Sequence, residues 1–271
     1  MRRGTWREAS REGHPPNGRS SETVKPKTAN TLGGKALDAY GWLRENTDLV
    51  MLVSLAVIIV TGWLAVELAD EVLEGTTQQY DEWVLRKLRT PGDMTDPIGP
   101  EWFEDMWRDV TALGSVPVLT LVTVACAGHL LLRRQYRIIA LLAVATVGGL
   151  LVSVVLKDLF SRARPEFASG TSHVMTASFP SGHSMLSAIV YLTLGVLLAR
   201  TSTHYRFKLY FLTVAVLVTV LVGLSRIYLG VHYPTDVLAG WSFGLIWALM
   251  CWLVAYVLQK SGIIERPREQ D

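Results

Sequence analysis

Three groups of polar residues lie at the borders of long apolar runs, and together they hold three cations, two histidines, one aspartate and a helix start. The groups are Lys157 with Arg164; Ser181, Gly182 and His183; and Arg226, His232 and Asp236. Each group alone has an ordinary structural explanation: a lysine that reaches the interface, good helix-start residues, and a histidine beside an aspartate. Gathered on one surface, the same side chains suit chemistry on a phosphate group.

Phosphoryl transfer needs cations around the phosphate and a nucleophile. Forked guanidinium groups, ammonium groups and the unpaired N–H groups of a helix start bind phosphate oxygens. One histidine can then attack phosphorus while the other protonates the leaving oxygen. Asp236, four residues after His232, can accept a hydrogen bond from one imidazole nitrogen and leave the other free. The acids of segment 67–109 show no ligand spacing and no Cys or His cluster occurs, so we expect no metal and no other cofactor.

Long apolar runs must position these residues. The chain has 271 residues, of which 50% are hydrophobic and 18% charged, and its mean hydropathy is +0.29. Five runs can cross a hydrocarbon core of about 30 Å as helices, and a shorter one, the fourth in chain order, also qualifies. The six are Leu49–Val66, Val110–Leu132, Ile138–Leu156, Ser184–Ala199, Leu209–Ser225 and Val237–Leu258. We therefore predict an all-α fold, a bundle of six transmembrane helices.

The charges of the connecting segments predict the orientation. Arg133, Arg134 and Arg137 lie between spans two and three, Arg200, Arg206 and Lys208 lie between spans four and five, and neither segment holds an acid. Both segments are therefore expected in the cytoplasm, as are both termini. By alternation, all three polar groups lie on the outer side. We predict a multi-pass protein of the cell inner membrane with its active site facing the periplasm.

The remaining segments complete the predicted domain organisation. We expect residues 1–35 to form a disordered basic cytoplasmic tail, residues 36–260 the six-span membrane domain, and residues 261–271 a short cytoplasmic tail. Between spans one and two, apolar residues repeat at helical spacing from Tyr80 to Leu88 and from Trp102 to Trp107. These two short helices predict an interfacial helical segment. The net charge of +2 is too small to suggest a nucleic-acid partner.

The three groups together resemble the signature of the type-2 phosphatidic acid phosphatase family. The matching positions are Lys157, six residues, Arg164-Pro165; Pro180-Ser181-Gly182-His183; and Ser225-Arg226, five residues, His232, three residues, Asp236. The resemblance extends over residues 49–258 and implies that His232 becomes a phosphohistidine, with Asp236 as its orienting partner. It also implies that His183 protonates the leaving lipid oxygen. The residues that it assigns to the phosphate oxygens are Lys157, Arg164, Ser181, Gly182 and Arg226.

The resulting prediction is a metal-independent membrane phosphatase that hydrolyses a lipid phosphate or a polyprenyl pyrophosphate presented from the outer leaflet. A lipid phosphotransferase with the same phosphohistidine is the alternative, and a non-catalytic transporter or scramblase is a third hypothesis. Vanadium-dependent haloperoxidases share the signature but are soluble, whereas this chain has six apolar spans. The sequence leaves the lipid, the role of the N-terminal tail and the oligomeric state open.

Overall fold

The computed structural model describes residues 47–165 and 177–260, and the two predicted tails lie outside this part of the chain. The described residues form eight α-helices and one two-stranded antiparallel ribbon. In chain order the elements are α1 (Thr47–Glu74), α2 (Gln78–Lys87), β1 (Arg89–Thr90), β2 (Asp93–Pro97), α3 (Glu101–Ala112), α4 (Val116–Leu132), α5 (Tyr136–Phe160), α6 (Gly182–Thr201), α7 (Tyr205–Tyr228) and α8 (Pro234–Lys260). The predicted all-α bundle is confirmed, with the short ribbon as an addition.

Five helices, α1, α5, α6, α7 and α8, are long and apolar enough to cross a membrane on their own. The sixth span is the pair α3 and α4, which meet at an angle of 49°. The prediction of one continuous span from Val110 to Leu132 is therefore wrong at its start. The break falls at Gly114, where a methyl group would lie 2.4 Å from Val222 and 3.3 Å from His183. Pro117 follows in the first turn of α4, a position that proline favours at a new helix start.

Helix α6 is the centre of the bundle and has the largest buried fraction of the five single spans. Its close approach to α8 depends on two glycines one turn apart on α8. A methyl group at Gly240 would lie 2.7 Å from the carbonyl oxygen of Ser181, and one at Gly244 would lie 2.7 Å from that of Met185. The start of α6 is therefore packed directly against the first turns of α8.

A glycine pair on α5 packs within the chain. A methyl group at Gly148 would lie 2.5 Å from the indole of Trp247, and one at Gly149 would lie 2.5 Å from Ile189. These contacts join α5 to α8 and α6, so in this structure the pair serves packing inside one molecule.

The segment between the first two spans is packed onto one end of the bundle. Helix α2 buries Asp81 and Leu85 and exposes Tyr80 and Trp83. Helix α3 places aromatic side chains against Tyr228 at the end of α7. The two short helices predicted here are confirmed, and the ribbon between them turns at Pro91-Gly92, where Gly92 has a φ of 97°.

Candidate active site

All eight predicted site residues lie at the same end of the bundle. Asp236 is in the first turn of α8, His183 is the second residue of α6, and Arg226 and Lys157 are in the last turns of α7 and α5. Electrostatic interactions reach His183 from four of the others: Arg226, His232, Lys157 and Arg164. The chain therefore brings together groups that are up to 79 positions apart in sequence.

The pair formed by His232 and Asp236 is buried, with His232 1% exposed and Asp236 fully covered. Gly230, with a φ of 70°, turns the chain after α7, and α8 begins at Pro234, so Asp236 faces back toward the loop. The Nδ1 atom of His232 lies 3.3 Å from Oδ2 of Asp236. The same oxygen accepts hydrogen bonds from the Tyr233 N–H at 2.9 Å and from the Ser178 hydroxyl. An ionised carboxylate only accepts, so we place the imidazole proton on Nδ1.

The second imidazole nitrogen of His232 faces a cation. Its Nε2 atom lies 3.3 Å from Nη1 of Arg164, which also donates to the carbonyl oxygen of Val231 at 3.1 Å. Burial lowers the pKa of His232 to about 4, although the Asp236 carboxylate opposes this shift. The ring is therefore neutral at neutral pH, and the lone pair on Nε2 accepts from the Arg164 guanidinium in this structure.

The start of α6 lies beside this pair. The Ser181 N–H donates to the carbonyl oxygen of Asp236 at 2.9 Å, which fixes the loop to α8. The first N–H groups of α6 have no partner within the helix and carry its positive dipole end. Because Gly182 has no side chain, Lys157 lies directly over this start, with Nζ 3.6 Å from where a methyl group would be. The ammonium group also donates to the Ala177 carbonyl oxygen at 3.3 Å.

Arg226 reaches the same region from α7. Its Nη1 atom donates to the Thr111 hydroxyl at 2.9 Å, and its buried Nε atom has no hydrogen-bond partner among the described residues. Thr111 belongs to the last turn of α3, so the bend between α3 and α4 brings it to the site. Electrostatic interactions link Arg226 to both histidines. Arg164 and Arg226 thus face the imidazole of His232, and the same two arginines and Lys157 face His183.

Sequence reasoning missed Arg162, Ser178 and Asp81. Arg162 binds Oδ1 of Asp236 at 2.7 Å and Oδ2 of Asp81 at 2.8 Å. Burial opposes its charge, but the Asp236 and Asp81 carboxylates raise the pKa of the Arg162 guanidinium. One signal was available in the sequence: Asp81 lies four residues before Leu85, on the face of α2 that the apolar pattern assigns to the interior.

The described residues hold no group of three or more His, Cys, Asp or Glu side chains arranged to bind a metal ion. The cations that face His183 are Lys157, Arg164 and Arg226, and the two arginines also face His232. Such a set favours an anionic ligand.

Comparisons with known proteins agree with this geometry. The sequence model of the PAP2 superfamily matches residues 119–260, which include every predicted site residue. Phosphatidylglycerophosphatase B of Bacillus subtilis is 38% identical over 154 residues, covering 55% of this chain and 73% of that protein. Undecaprenyl-diphosphatase of Sulfolobus acidocaldarius is 31% identical over 120 residues, covering 42% of this chain and 54% of that protein.

One solved structure resembles the fold over most of its length. It is the crystal structure of a transmembrane PAP2 type phosphatidylglycerolphosphate phosphatase from Bacillus subtilis, with a TM-score of 0.67 and 27% sequence identity. The match covers 78% of this chain and 98% of that one. The membrane-spanning bundle is therefore shared with an enzyme of known structure.

Proposed function

The chain belongs to the PAP2 superfamily and is an integral membrane lipid phosphatase, and we propose that its reaction passes through a phosphohistidine formed on His232. One observation carries this proposal. Asp236 accepts from Nδ1 of His232 while Nε2 faces Arg164, so the Nε2 lone pair points to the side where this cation would hold a phosphate. The imidazole is thus oriented for attack by Nε2 on a phosphorus held there.

In the first step, Arg164, Arg226 and Lys157 bind the phosphate oxygens together with the N–H groups that start α6. Nε2 of His232 attacks phosphorus, and the bond from phosphorus to the lipid oxygen breaks. The negative charge of the bound phosphate offsets the cations around His183, so His183 takes up a proton when the substrate binds and gives it to that oxygen. The lipid therefore leaves as a neutral alcohol or, from a pyrophosphate, as the monophosphate. Asp236 stabilises the positive charge on the modified imidazole.

In the second step, a water molecule attacks the phosphorus of the phosphohistidine. His183, now neutral, takes a proton from this water, and the bond from phosphorus to Nε2 breaks. Inorganic phosphate leaves, and both histidines return to their starting states. The cations stabilise the negative charge on the phosphate oxygens in the transition states of both steps, so the proposed reaction requires no metal.

An apolar groove supports a lipid substrate. It has a volume of about 280 Å³ and lies between α4, α5 and α6. Its wall includes Leu186, three residues after His183, and Val116, two residues after the glycine that contacts His183. An acyl or prenyl chain in this groove would leave its phosphate group at the polar end. The substrate class is a lipid phosphate monoester or a polyprenyl pyrophosphate, with phosphatidylglycerol phosphate favoured by the relative that is covered most fully.

We place the active site at the periplasmic face of the inner membrane, with both termini in the cytoplasm. The polar end of the bundle is opposite to two short connections. The connection after α4 carries Arg133 and Arg134, and the connection after α6 is followed at once by Arg206 and Lys208. Positive connections of this length stay in the cytoplasm. A substrate in the outer leaflet then reaches the site by lateral diffusion.

The proposal is tested by trapping the intermediate. Purified protein is mixed with a ³²P-labelled lipid phosphate, quenched in alkali and separated on a denaturing gel, while phosphate release is measured with malachite green. We expect a label that is stable in alkali and lost in acid, together with equal amounts of phosphate and dephosphorylated lipid. His232→Ala should give no label. A label that survives in this variant, or one that is stable in acid, would contradict the phosphohistidine.

A further inference from the structure

Arg162 lies between two buried carboxylates on different elements. Its Nη1 atom is 2.7 Å from Oδ1 of Asp236, and its Nη2 atom is 2.8 Å from Oδ2 of Asp81. The side chain of Arg162 is 11% exposed and both aspartates are fully covered. The guanidinium also lies 4.3 Å from the centre of the Tyr233 ring. His232, Asp236, Arg162 and Asp81 therefore form one continuous chain of contacts that ends on α2.

Asp81 also contacts α8 directly. Its Oδ1 atom accepts from the Thr235 N–H at 3.1 Å, and its Oδ2 atom accepts from the Thr235 hydroxyl at 2.6 Å. Thr235 is the second residue of α8, where the N–H group has no partner within the helix. Asp81 thus caps α8 from another helix, and its charge suits the positive dipole end. The first turn of α8, which carries Asp236, is held at two points.

We propose that Asp81 and Arg162 are positioning residues of the reaction, which fix the ionised state and the direction of Asp236 and thereby the orientation of His232. This inference rests on the proposed role of His232 as the nucleophile. Arg162 binds only Oδ1 of Asp236, which leaves Oδ2 for His232, Tyr233 N–H and Ser178. Oδ1 of Asp236 therefore binds Arg162, while Oδ2 orients His232.

The charges along this line of four contacting side chains alternate once His232 is phosphorylated. Phosphorylation makes the His232 ring positive. The charges of His232, Asp236, Arg162 and Asp81 are then positive, negative, positive and negative in that order. A buried carboxylate without Arg162 would be costly, and its negative charge would then be balanced by a proton on His232, its hydrogen-bonded neighbour. Asp81 in turn compensates the charge of Arg162, so neither Arg162 nor Asp81 is an isolated buried ion.

This line of contacts predicts a pH effect that purely structural contacts between the helices would not give. The charged and titratable groups that face His232 are Asp236 from α8, Arg164 from the segment after α5, Arg226 from α7 and His183 from α6. Arg162 acts on it through Oδ1 of Asp236, and Lys157 from α5 faces Asp236 and His183. Removing the positive charge of Arg162 favours protonation of His232. The neutral, nucleophilic form of His232 is then lost at a higher pH, so the acid limb of the pH profile of kcat/KM shifts to higher pH.

The test uses the full chain in detergent with Arg162→Gln, Asp81→Asn and the double variant. We expect kcat to fall by about 10- to 100-fold in each, as for residues that orient a reacting group, with KM changed by less than about threefold. The double variant should be little worse than either single one, because both act through the same carboxylate. Arg162→Lys should restore part of the rate, since an ammonium group can replace one contact but not both.

A matched control is Arg108→Gln, which removes an exposed arginine from its pair with Glu104 at the same end of the bundle. It should keep kcat and the acid limb of the wild type. The inference is overturned if Arg162→Gln is folded by size-exclusion chromatography and keeps the wild-type kcat and acid limb. It is also overturned if the effects of Asp81→Asn and Arg162→Gln multiply in the double variant.

A second measurement needs no turnover. Protein labelled with ¹³C-histidine is titrated by NMR, and the signal of His232 is identified by its loss in His232→Gln. The pKa of His232 should be higher in Arg162→Gln than in the wild type, and an equal pKa overturns the inference. If the wild type released no phosphate from any lipid, the proposed function would fail while this titration still decided the positioning role. If Arg162→Gln does not fold, Asp81→Asn is titrated in its place: it removes a negative charge from the same line of contacts, so the pKa of His232 should be lower than in the wild type, and an equal pKa overturns the inference.

Discussion

The Nη1 atom of Arg164 lies 3.3 Å from Nε2 of His232, the ring nitrogen that the contact with Asp236 leaves without a proton. A phosphate bound by the guanidinium therefore arrives next to the proposed attacking atom. Arg164 and Arg162 are two residues apart, yet they serve opposite sides of the same histidine and aspartate pair. The segment after α5 thus supplies one cation to the phosphate and another to the carboxylate.

Arg164→Lys should reduce kcat/KM by about 100-fold or more, because a single ammonium donor cannot replace a forked group on a phosphate oxygen. Steady-state kinetics with a soluble short-chain lipid phosphate will measure the loss. Arg108→Lys, at an exposed ion pair, is the matched control and should stay within about twofold of the wild type, as is usual for surface positions. Equal kinetics for Arg164→Lys and the wild type would remove this arginine from the phosphate site.

The thermal stability of the protein should fall as the pH is lowered from about 6.5 toward 4. Burial lowers the folded-state pKa of His232 to about 4 from its ordinary 6.5, so the unfolded chain binds the proton more strongly. The stability contributed by the neutral ring is complete above pH 6.5 and declines below it. Differential scanning fluorimetry should show a smaller decline in His232→Gln, whereas the exposed His204→Gln should follow the wild type. A decline of the same size in His232→Gln would contradict the buried neutral ring.

The sequence predicted well where the helices that carry the candidate residues begin. His183 and Asp236 lie in first helical turns because Gly182 and Pro234 begin those helices, a local property that spacing reveals. Arg162 and Asp81 were missed because their ion pair joins residues 81 positions apart, and no local pattern encodes that contact. The bend at Gly114 was missed because the apolar run continues through it.

Gly240→Ala should lower both stability and activity. The new methyl group would lie 2.7 Å from the Ser181 carbonyl oxygen and 2.9 Å from Cβ of Ser184, so α6 and α8 must separate. Overpacking of this kind costs about 1–3 kcal/mol, and the shift moves the start of α6, which we propose binds the phosphate. The measurements are the thermal midpoint and kcat. Gly62→Ala, which has no atom within 4 Å of the added methyl group, should behave like the wild type; a neutral Gly240→Ala would show that this close approach is not required.

The orientation can be tested without an enzyme assay. In a variant without Cys126 and Cys251, a cysteine replacing the exposed Thr95 on β2 should react with a membrane-impermeant maleimide added to intact cells. A cysteine replacing the exposed Thr203, between α6 and α7, should react only after the cells are opened. The reverse pattern would place the active site in the cytoplasm.

The two histidines should respond differently to the leaving group. His232→Ala removes the attacking atom, so it should abolish turnover of every substrate. His183→Ala removes the proton for the leaving oxygen, which costs about 10²- to 10⁴-fold for a lipid alcohol. With p-nitrophenyl phosphate the leaving oxygen is stable as an anion, so the loss in His183→Ala should shrink markedly while His232→Ala stays inactive. Phosphate release from both substrates measures this, and losses that are equal and independent of substrate would show that nucleophile and acid are misassigned.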